Sequence, residues 1–262
     1  KNNRAIQMLV VAASTDKLFM SVQSNTTIMA VLYGVLFGNI ALQGQMSSLV
    51  LIPTVIINFL GIKFIASRMG QKKALLFGTY GAIGTSVLMF CLMVWGDPSS
   101  FSFTNISFFT IAFCLLWIFQ KGFSGISGNI VIPMTADCAD YETYRTGKYV
   151  PGLMGTLFSF VDKVISSLAS TIVALMFALV GYAQEVPTDK SPWSEGLFWV
   201  VVIAFTIVPI IGWLCNVVAM KFYPLTKEKM EEIQEKIAEI KAKNLAENEA
   251  AAAAEAVEAE LL

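Results

Sequence analysis

Read from its first residue, the chain alternates long apolar runs with short polar stretches. Six runs can be drawn: Ile6–Phe37, Met46–Ala66, Ala74–Trp95, Ile106–Met134, Leu153–Tyr182 and Gly196–Phe222. A helix needs about 20 apolar residues to cross about 30 Å of hydrocarbon, and each run reaches that length. Val164–Val180 and Phe198–Val218 contain no charged residue at all. The pattern predicts an all-α membrane protein with six transmembrane helices over residues 1–223. The first, fourth and fifth runs exceed the thickness of a bilayer, so they should tilt, break or project beyond it.

The stretches between the runs set the orientation. Lys1 and Arg4 precede the first run, Arg68, Lys72 and Lys73 follow the second, Arg145 and Lys148 follow the fourth, and Lys221 closes the sixth. The alternate loops, Gly38–Gln45, Gly96–Phe103 and Ala183–Glu195, hold only Lys190. By the positive-inside rule this predicts a multi-pass protein of the cell membrane with both ends of the segment cytoplasmic. Trp95, Trp193 and Trp199 then fall at the outer edge as interfacial anchors. Residues 224–262 form a separate cytoplasmic tail. Met230, Ile233, Ile237 and Ile240 recur at helical spacing, so an amphipathic helix either lies on the membrane or packs on the cytoplasmic loops. An Ala/Glu-rich stretch, Ala250–Leu262, follows it. The chain begins at Lys1 with no signal peptide, which reads as a segment of a longer protein.

Composition narrows the function. Charged residues make up 14% of the chain, against about 25% in soluble domains. Of 37 charges, 15 lie from Tyr223 onward, so the spans are poorer still. A net charge of −1 without a basic patch leaves nucleic acid no footing. There is no His, and the four Cys are scattered without metal-site spacing. With no carboxylate cluster either, a membrane-embedded enzyme lacks its parts, and no metal or organic cofactor is expected.

The charges well away from the ends of the runs are the informative ones: Asp16, Lys17, Lys121, Asp162 and Lys163. Each costs roughly 2.5–3.5 kcal/mol at a helix centre, and such residues mark binding sites and pathways. Helix neighbours point about 100° apart, so neither adjacent pair neutralises itself. Lys17 can snorkel to an interface; Lys163, about three turns inside its run, cannot. Trp117, Gln120 and Lys121 set an aromatic ring and an amide beside a cation, a combination suited to a sugar. Gln23 and Asn25 offer further amides. Gly122, Gly125 and Gly128 recur every third residue, which suits close helix packing or a helix broken beside a cavity.

After Pro133 the chain reads Asp137-Cys-Ala-Asp140-Tyr141-Glu142-Thr-Tyr-Arg145-Thr-Gly147-Lys148. This resembles the loop between helices X and XI of the glycoside–pentoside–hexuronide:cation symporters, the melibiose-permease-like branch of the major facilitator superfamily. The resemblance covers nearly all of residues 1–240. It includes the opening Asn-Asn-Arg, Gly38-Asn39, the Arg68-Met-Gly70-Gln-Lys72 turn and Gly181-Tyr182. It is to the second half of that family, implying helices VII to XII of a twelve-span parent, the C-terminal bundle of a major-facilitator fold. Lys163 matches the family's helix XI lysine, near the sugar and cation sites. The cation-binding acids lie in the N-terminal six-helix half, the expected partner. The loop departs from the family at Tyr149 and Pro151, where an Arg and a Glu are usual.

These readings converge on a secondary transporter moving a sugar or glycoside with Na⁺ or H⁺. Lys163, Lys121, Gln120, Trp117, Asp162 and Asp16 are the expected substrate-binding residues. Asp137, Asp140, Tyr141, Glu142, Arg145, Gly147 and Arg68 are the expected gate. The alternative is a transporter of the same fold carrying a lipid or other non-sugar solute, for which a cavity rich in Phe and Met would speak.

Overall fold

A computed structural model describes residues 3–146 and 151–239, apart from the side chains of 151–155, 157, 158 and 162. Six helices are long and apolar enough to cross a membrane. They are α1 (Arg4–Leu36), α2 (Ala41–Met69), α3 (Gln71–Trp95), α4 (Phe108–Thr146), α5 (Pro151–Ala178) and α6 (Glu195–Phe222). A seventh helix, α7, covers 227–239. No strand occurs among the described residues. Local chemistry sets the helix starts. Asn3 accepts the Ile6 N–H (3.2 Å) and Ser194 accepts the Leu197 N–H (3.2 Å) at the caps of α1 and α6. Between α2 and α3 the chain turns at Gly70, whose φ of 81° suits a residue without Cβ.

The over-long runs behave in two ways. α1 breaks at Ser24 and Asn25, where Asn25 turns extended and its Oδ1 caps a new helix by accepting the Thr27 N–H (2.9 Å). α4 does not break. It runs 39 residues, roughly 58 Å at ~1.5 Å per residue, so it projects well past a bilayer. The expected loop after Met134 is therefore helix: Asp137, Asp140, Tyr141, Glu142 and Arg145 lie on the last turns of α4. Pro133 lies inside the helix and does not end it, although it removes the hydrogen bond to the Asn129 carbonyl. Likewise α2 begins at Ala41, inside the expected Gly38–Gln45 loop. Gly147 and Lys148 lie outside the described residues.

α4 packs chiefly on α3 and then α2, while α1 packs on α6 and then α5; contacts of α3 with α6 and of α1 with α4 join the two groups. At the end bearing the exposed Trp95 and Trp193, Phe37, Phe101, Phe113, Trp117 and Phe205 form one aromatic core. At the other end Leu9, Leu75, Ile130 and Met220 pack with Ile233 and Ile237 of α7. The α7 stripe thus packs on the end of the bundle and does not lie on a membrane surface. Gln234 Nε2 donates to Asp140 Oδ2 (2.6 Å) and Lys236 Nζ to the Tyr144 hydroxyl (3.3 Å), which fixes it there. The α4 glycines divide. A Cβ at Gly122 or Gly125 would come within 2.7 Å of Ile57 or 2.4 Å of the Asn58 side chain, whereas at Gly128 nothing lies within 4 Å. Two of the three let α2 approach, and the third faces open space.

Candidate functional site

Two cavities open beside the intramembrane charges. The larger, about 650 Å³, lies between α1, α4, α5 and α6 and is lined by Asp16, Lys17, Lys163, Ser124 and Trp213 among others. The smaller, about 410 Å³, lies between α1, α2 and α4 and is lined by Lys121, Trp117, Ser24, Tyr33 and Gln43. The charges singled out in the sequence thus divide between two sites. Asp16 and Lys163 share the first; Lys121 belongs to the second. The side chain of Asp162 lies outside the described residues.

In the larger cavity the two lysines are exposed and Asp16 is nine-tenths buried. The Asp16 Oδ2 accepts from Asn216 Nδ2 (2.6 Å) and from the Ser127 hydroxyl (3.2 Å). Ser127 in turn sits 3.0 Å from the Thr79 hydroxyl, which donates to the Leu75 carbonyl (2.9 Å). Asp16 Oδ1 and Asn216 Oδ1 are buried without a hydrogen-bond partner among the described residues. Hydroxyls of Ser14, Ser124 and Ser159 also line this cavity, and among the described residues its lining has Met20 as the single methionine and no phenylalanine.

The second site differs from its expected form. Lys121 Nζ lies 4.4 Å over the Trp117 ring and 3.4 Å from both Gln23 Oε1 and Ser24 Oγ. Trp117 and Lys121 meet because they are four residues apart on one helix face. The indole already stacks on Phe205 at 4.6 Å and is only 6% exposed, so it offers a sugar little ring to stack on. Gln120 points into the core instead of the cavity. It is fully buried, donating to Ser86 (2.9 Å) and accepting from Gln23 Nε2 (3.2 Å). The amide beside the cation is Gln23.

Pro209 explains why Gln23 is buried there. A proline has no N–H, so the carbonyl four residues earlier, that of Phe205, loses its helical donor. Gln23 Nε2 supplies one at 2.6 Å. Beside it α6 runs as a π-helical turn over Ile203–Ile207, and the Thr206 carbonyl accepts from Ser86 (3.0 Å). Gln23 is among the amides the sequence offers, whereas Ser86 and Asn216 are missed; both are polar residues within largely apolar runs.

The expected gate residues lie at the end of the bundle that carries α7. Asp140 is held by Gln234, and Glu142 accepts from Asn3 Nδ2 (2.6 Å) and pairs with Arg145 (3.1 Å). Asp137 lines a third cavity of about 270 Å³ with Gln71, Lys72 and Lys227. Arg68 is exposed on the last turn of α2, and Tyr141 packs partly buried against the core of that end.

A family model described as MFS/sugar transport protein matches residues 1–227. The chain belongs to this family. That is the outcome the resemblance to the glycoside–pentoside–hexuronide:cation symporters implied, and with six membrane-length helices it makes the chain a multi-pass membrane protein. Two curated members are similar to it. A glucuronide carrier protein homolog of Escherichia coli (strain K12) is 29% identical over 168 residues, covering 64% of this chain and 33% of that protein. An isoprimeverose transporter of Lactiplantibacillus pentosus is 24% identical over 184 residues, covering 70% of this chain and 34% of that protein. The chain spans about a third of the length of these relatives.

Proposed function

We propose that the chain is the C-terminal six-helix half of a membrane transporter that carries a sugar or glycoside, coupled to Na⁺ or H⁺, by alternating access. The observation that carries this reading is the cavity of about 650 Å³ with Asp16, Lys17 and Lys163 on its walls, in a chain of the sugar-transport family. That volume lies within the range of small-molecule sites, about 300–1,000 Å³. Its serine hydroxyls and lysines suit a solute rich in hydroxyls. Both relatives are named as carriers of sugar conjugates or sugars. A lipid carrier would be expected to line its cavity with Phe and Met, and among the described residues this lining holds one Met and no Phe.

The remaining parts follow the same reading. α2 and α5 flank the bundle with exposed Ile52, Phe59, Phe160 and Leu175. These faces suit contact with a second six-helix half and with membrane lipid. Most of the coupling-ion ligands would come from that second half. The Arg68, Lys72 and Arg145 end is the cytoplasmic one on the positive-inside rule. There Asp140 and Glu142 are tied to α7 and to the start of α1, so in a rocking motion this end moves as one body.

The test is glycoside uptake by the complete transporter in proteoliposomes, wild type against Lys163→Ala. Losing a charged hydrogen-bonding group from the site should cut cation-dependent uptake about tenfold or more. Undiminished cation-dependent uptake would remove Lys163 from the site. A melting shift with lysolipids and none with any glycoside would replace the sugar reading with the lipid one.

A further inference from the structure

The larger cavity holds a carboxyl group whose surroundings differ from those of a structural ion pair. Asp16 is nine-tenths buried, yet no lysine or arginine among the described residues lies within ion-pair distance of it. The partners of its Oδ2 are the neutral amide of Asn216 and the hydroxyl of Ser127. Its Oδ1 has none among the described residues. A buried carboxylate normally persists only when paired, and otherwise it takes up a proton. We propose that Asp16 is a proton-binding site of this half of the transporter, ionised in one step of the cycle and neutral in another. The proposal rests on the transport reading above and adds to it a coupling group outside the expected N-terminal acids.

The geometry satisfies both forms of the group. In the ionised form, Asn216 and Ser127 donate to Oδ2, and Thr79 donates to the Leu75 carbonyl. When a hydronium in the cavity gives up its proton, water is released and the carboxyl becomes neutral. The new O–H donates to Ser127 Oγ, the Ser127 hydroxyl turns to Thr79 Oγ1 at 3.0 Å, and Thr79 keeps its bond to Leu75. Only the bond between Asp16 and Ser127 changes direction, and no hydroxyl loses its partner. The chain also ties Asp16 on α1 to α4, α3 and α6 at once, through Ser127, Thr79 and Asn216, so its charge state is felt by four helices.

The charged groups that face Asp16 fit the same reading. On α1, Lys17 is the adjacent residue and is exposed to the cavity; on α5, Lys163 lines the same cavity. The side chain of Asp162 lies outside the described residues. α4 presents Ser124 and Ser127, with Lys121 in the other cavity, and α6 presents Trp213 and Asn216. α3 presents Thr79, which is uncharged. Cations near the open side of the cavity favour the ionised form when they approach, and burial favours the neutral one. Movement of α5 relative to α1 would therefore shift the proton equilibrium.

The test has two arms on the complete transporter. The first is infrared difference spectroscopy of the lipid-embedded protein titrated with acid, wild type against Asp16→Asn. The proposal expects a protonated-carboxyl band that vanishes in Asp16→Asn and that changes amplitude when a transported glycoside is added. Asn216→Ala, which removes a donor to the ionised form, should raise its midpoint by roughly one pH unit or more. No Asp16-dependent band, or one indifferent to both pH and substrate, overturns the proposal. The second arm compares glycoside exchange with accumulation driven by a pH gradient. Asp16→Asn should lower the ratio of accumulation to exchange roughly tenfold or more; a ratio equal to wild type overturns the proposal. Absence of any glycoside transport by the wild type overturns the transport reading, and the infrared band still decides whether Asp16 binds a proton.

Discussion

The clearest energetic test concerns Gln23 and the carbonyl that Pro209 leaves without a donor. In Gln23→Leu the volume is nearly kept, but Phe205 O and Gln120 Oε1 both lose their hydrogen bond from Gln23, of 2.6 and 3.2 Å. Each buried acceptor left unpaired costs about 1–3 kcal/mol by soluble-protein measure. Interhelical hydrogen bonds in membrane proteins average nearer ~0.6 kcal/mol, with a maximum of ~1.7. The short Phe205 bond belongs near that upper limit and the longer one near the mean, which gives about 2 kcal/mol together. At roughly 2–4 °C per kcal/mol for chains of this size, melting should fall by about 4–8 °C. The assay is thermal unfolding in detergent followed by tryptophan fluorescence. The reasoning also predicts a rescue. Pro209→Ala restores an N–H four residues after Phe205, so Gln23→Leu should cost less in that background, a coupling of about 1 kcal/mol. A Gln23→Leu protein that melts with wild type would refute the argument. So would an equal loss in both backgrounds, since the Phe205 carbonyl would then not be the group at stake.

Further outcomes follow from packing and charge. Gly125→Ala should destabilise by about 1–3 kcal/mol through its clash with Asn58, while Gly128→Ala should leave melting unchanged, since only the first Cβ meets a neighbour. Ile233→Ala removes a fully buried α7 side chain and should cost about 2–4 kcal/mol of α7 docking, read as faster proteolysis within 223–239. The Glu232 carboxyl is held below its ordinary value of 4.5 by hydrogen bonds from Lys229 and Lys236. Its small contribution to α7 is therefore present above pH 4.5 and is lost as pH falls through the lowered value. Protection of α7 against an acid-active protease should thus be constant above pH 4.5 and drop only below it.

The spans were legible because each apolar run is long enough to leave no soluble alternative, and the observed helices end within a few residues of the runs, α2 and α4 apart. What misled was charge. Asp137 through Arg145 looked like a solvated loop, because a charged stretch has no apolar periodicity to announce a helix. Its charges instead find partners on α7, on Asn3 and on each other. At the candidate site, the rule that intramembrane charges mark cavities located Asp16, Lys163 and Lys121 on cavity walls. It could not tell that Lys121 serves a different cavity, because the direction of a side chain depends on which helix lies opposite. Gln120 shows the same gap. It is adjacent to Lys121, about 100° away around the helix, and that rotation carries it from cavity wall to core.

The packing also distinguishes the walls of the larger cavity. Three walls are locked together: α1 to α6 through Gln23 and Phe205, α3 to α6 through Ser86 and Thr206, and α3 to α4 through Gln120 and Ser86. On α5 the described buried side chains are Ile165, Ala169, Val173 and Phe177, a single row at four-residue spacing, and α5 packs chiefly against α1. One apolar stripe resists separation but opposes rolling or sliding only weakly, since dispersion contacts re-form in a shifted register where a hydrogen bond would be broken. Lys163 therefore rides on a wall that carries such a row, and Asp16 lines the same cavity from a wall tied by hydrogen bonds. A transporter of this kind would need little else in this half to link movement at the cavity to the charge on Asp16.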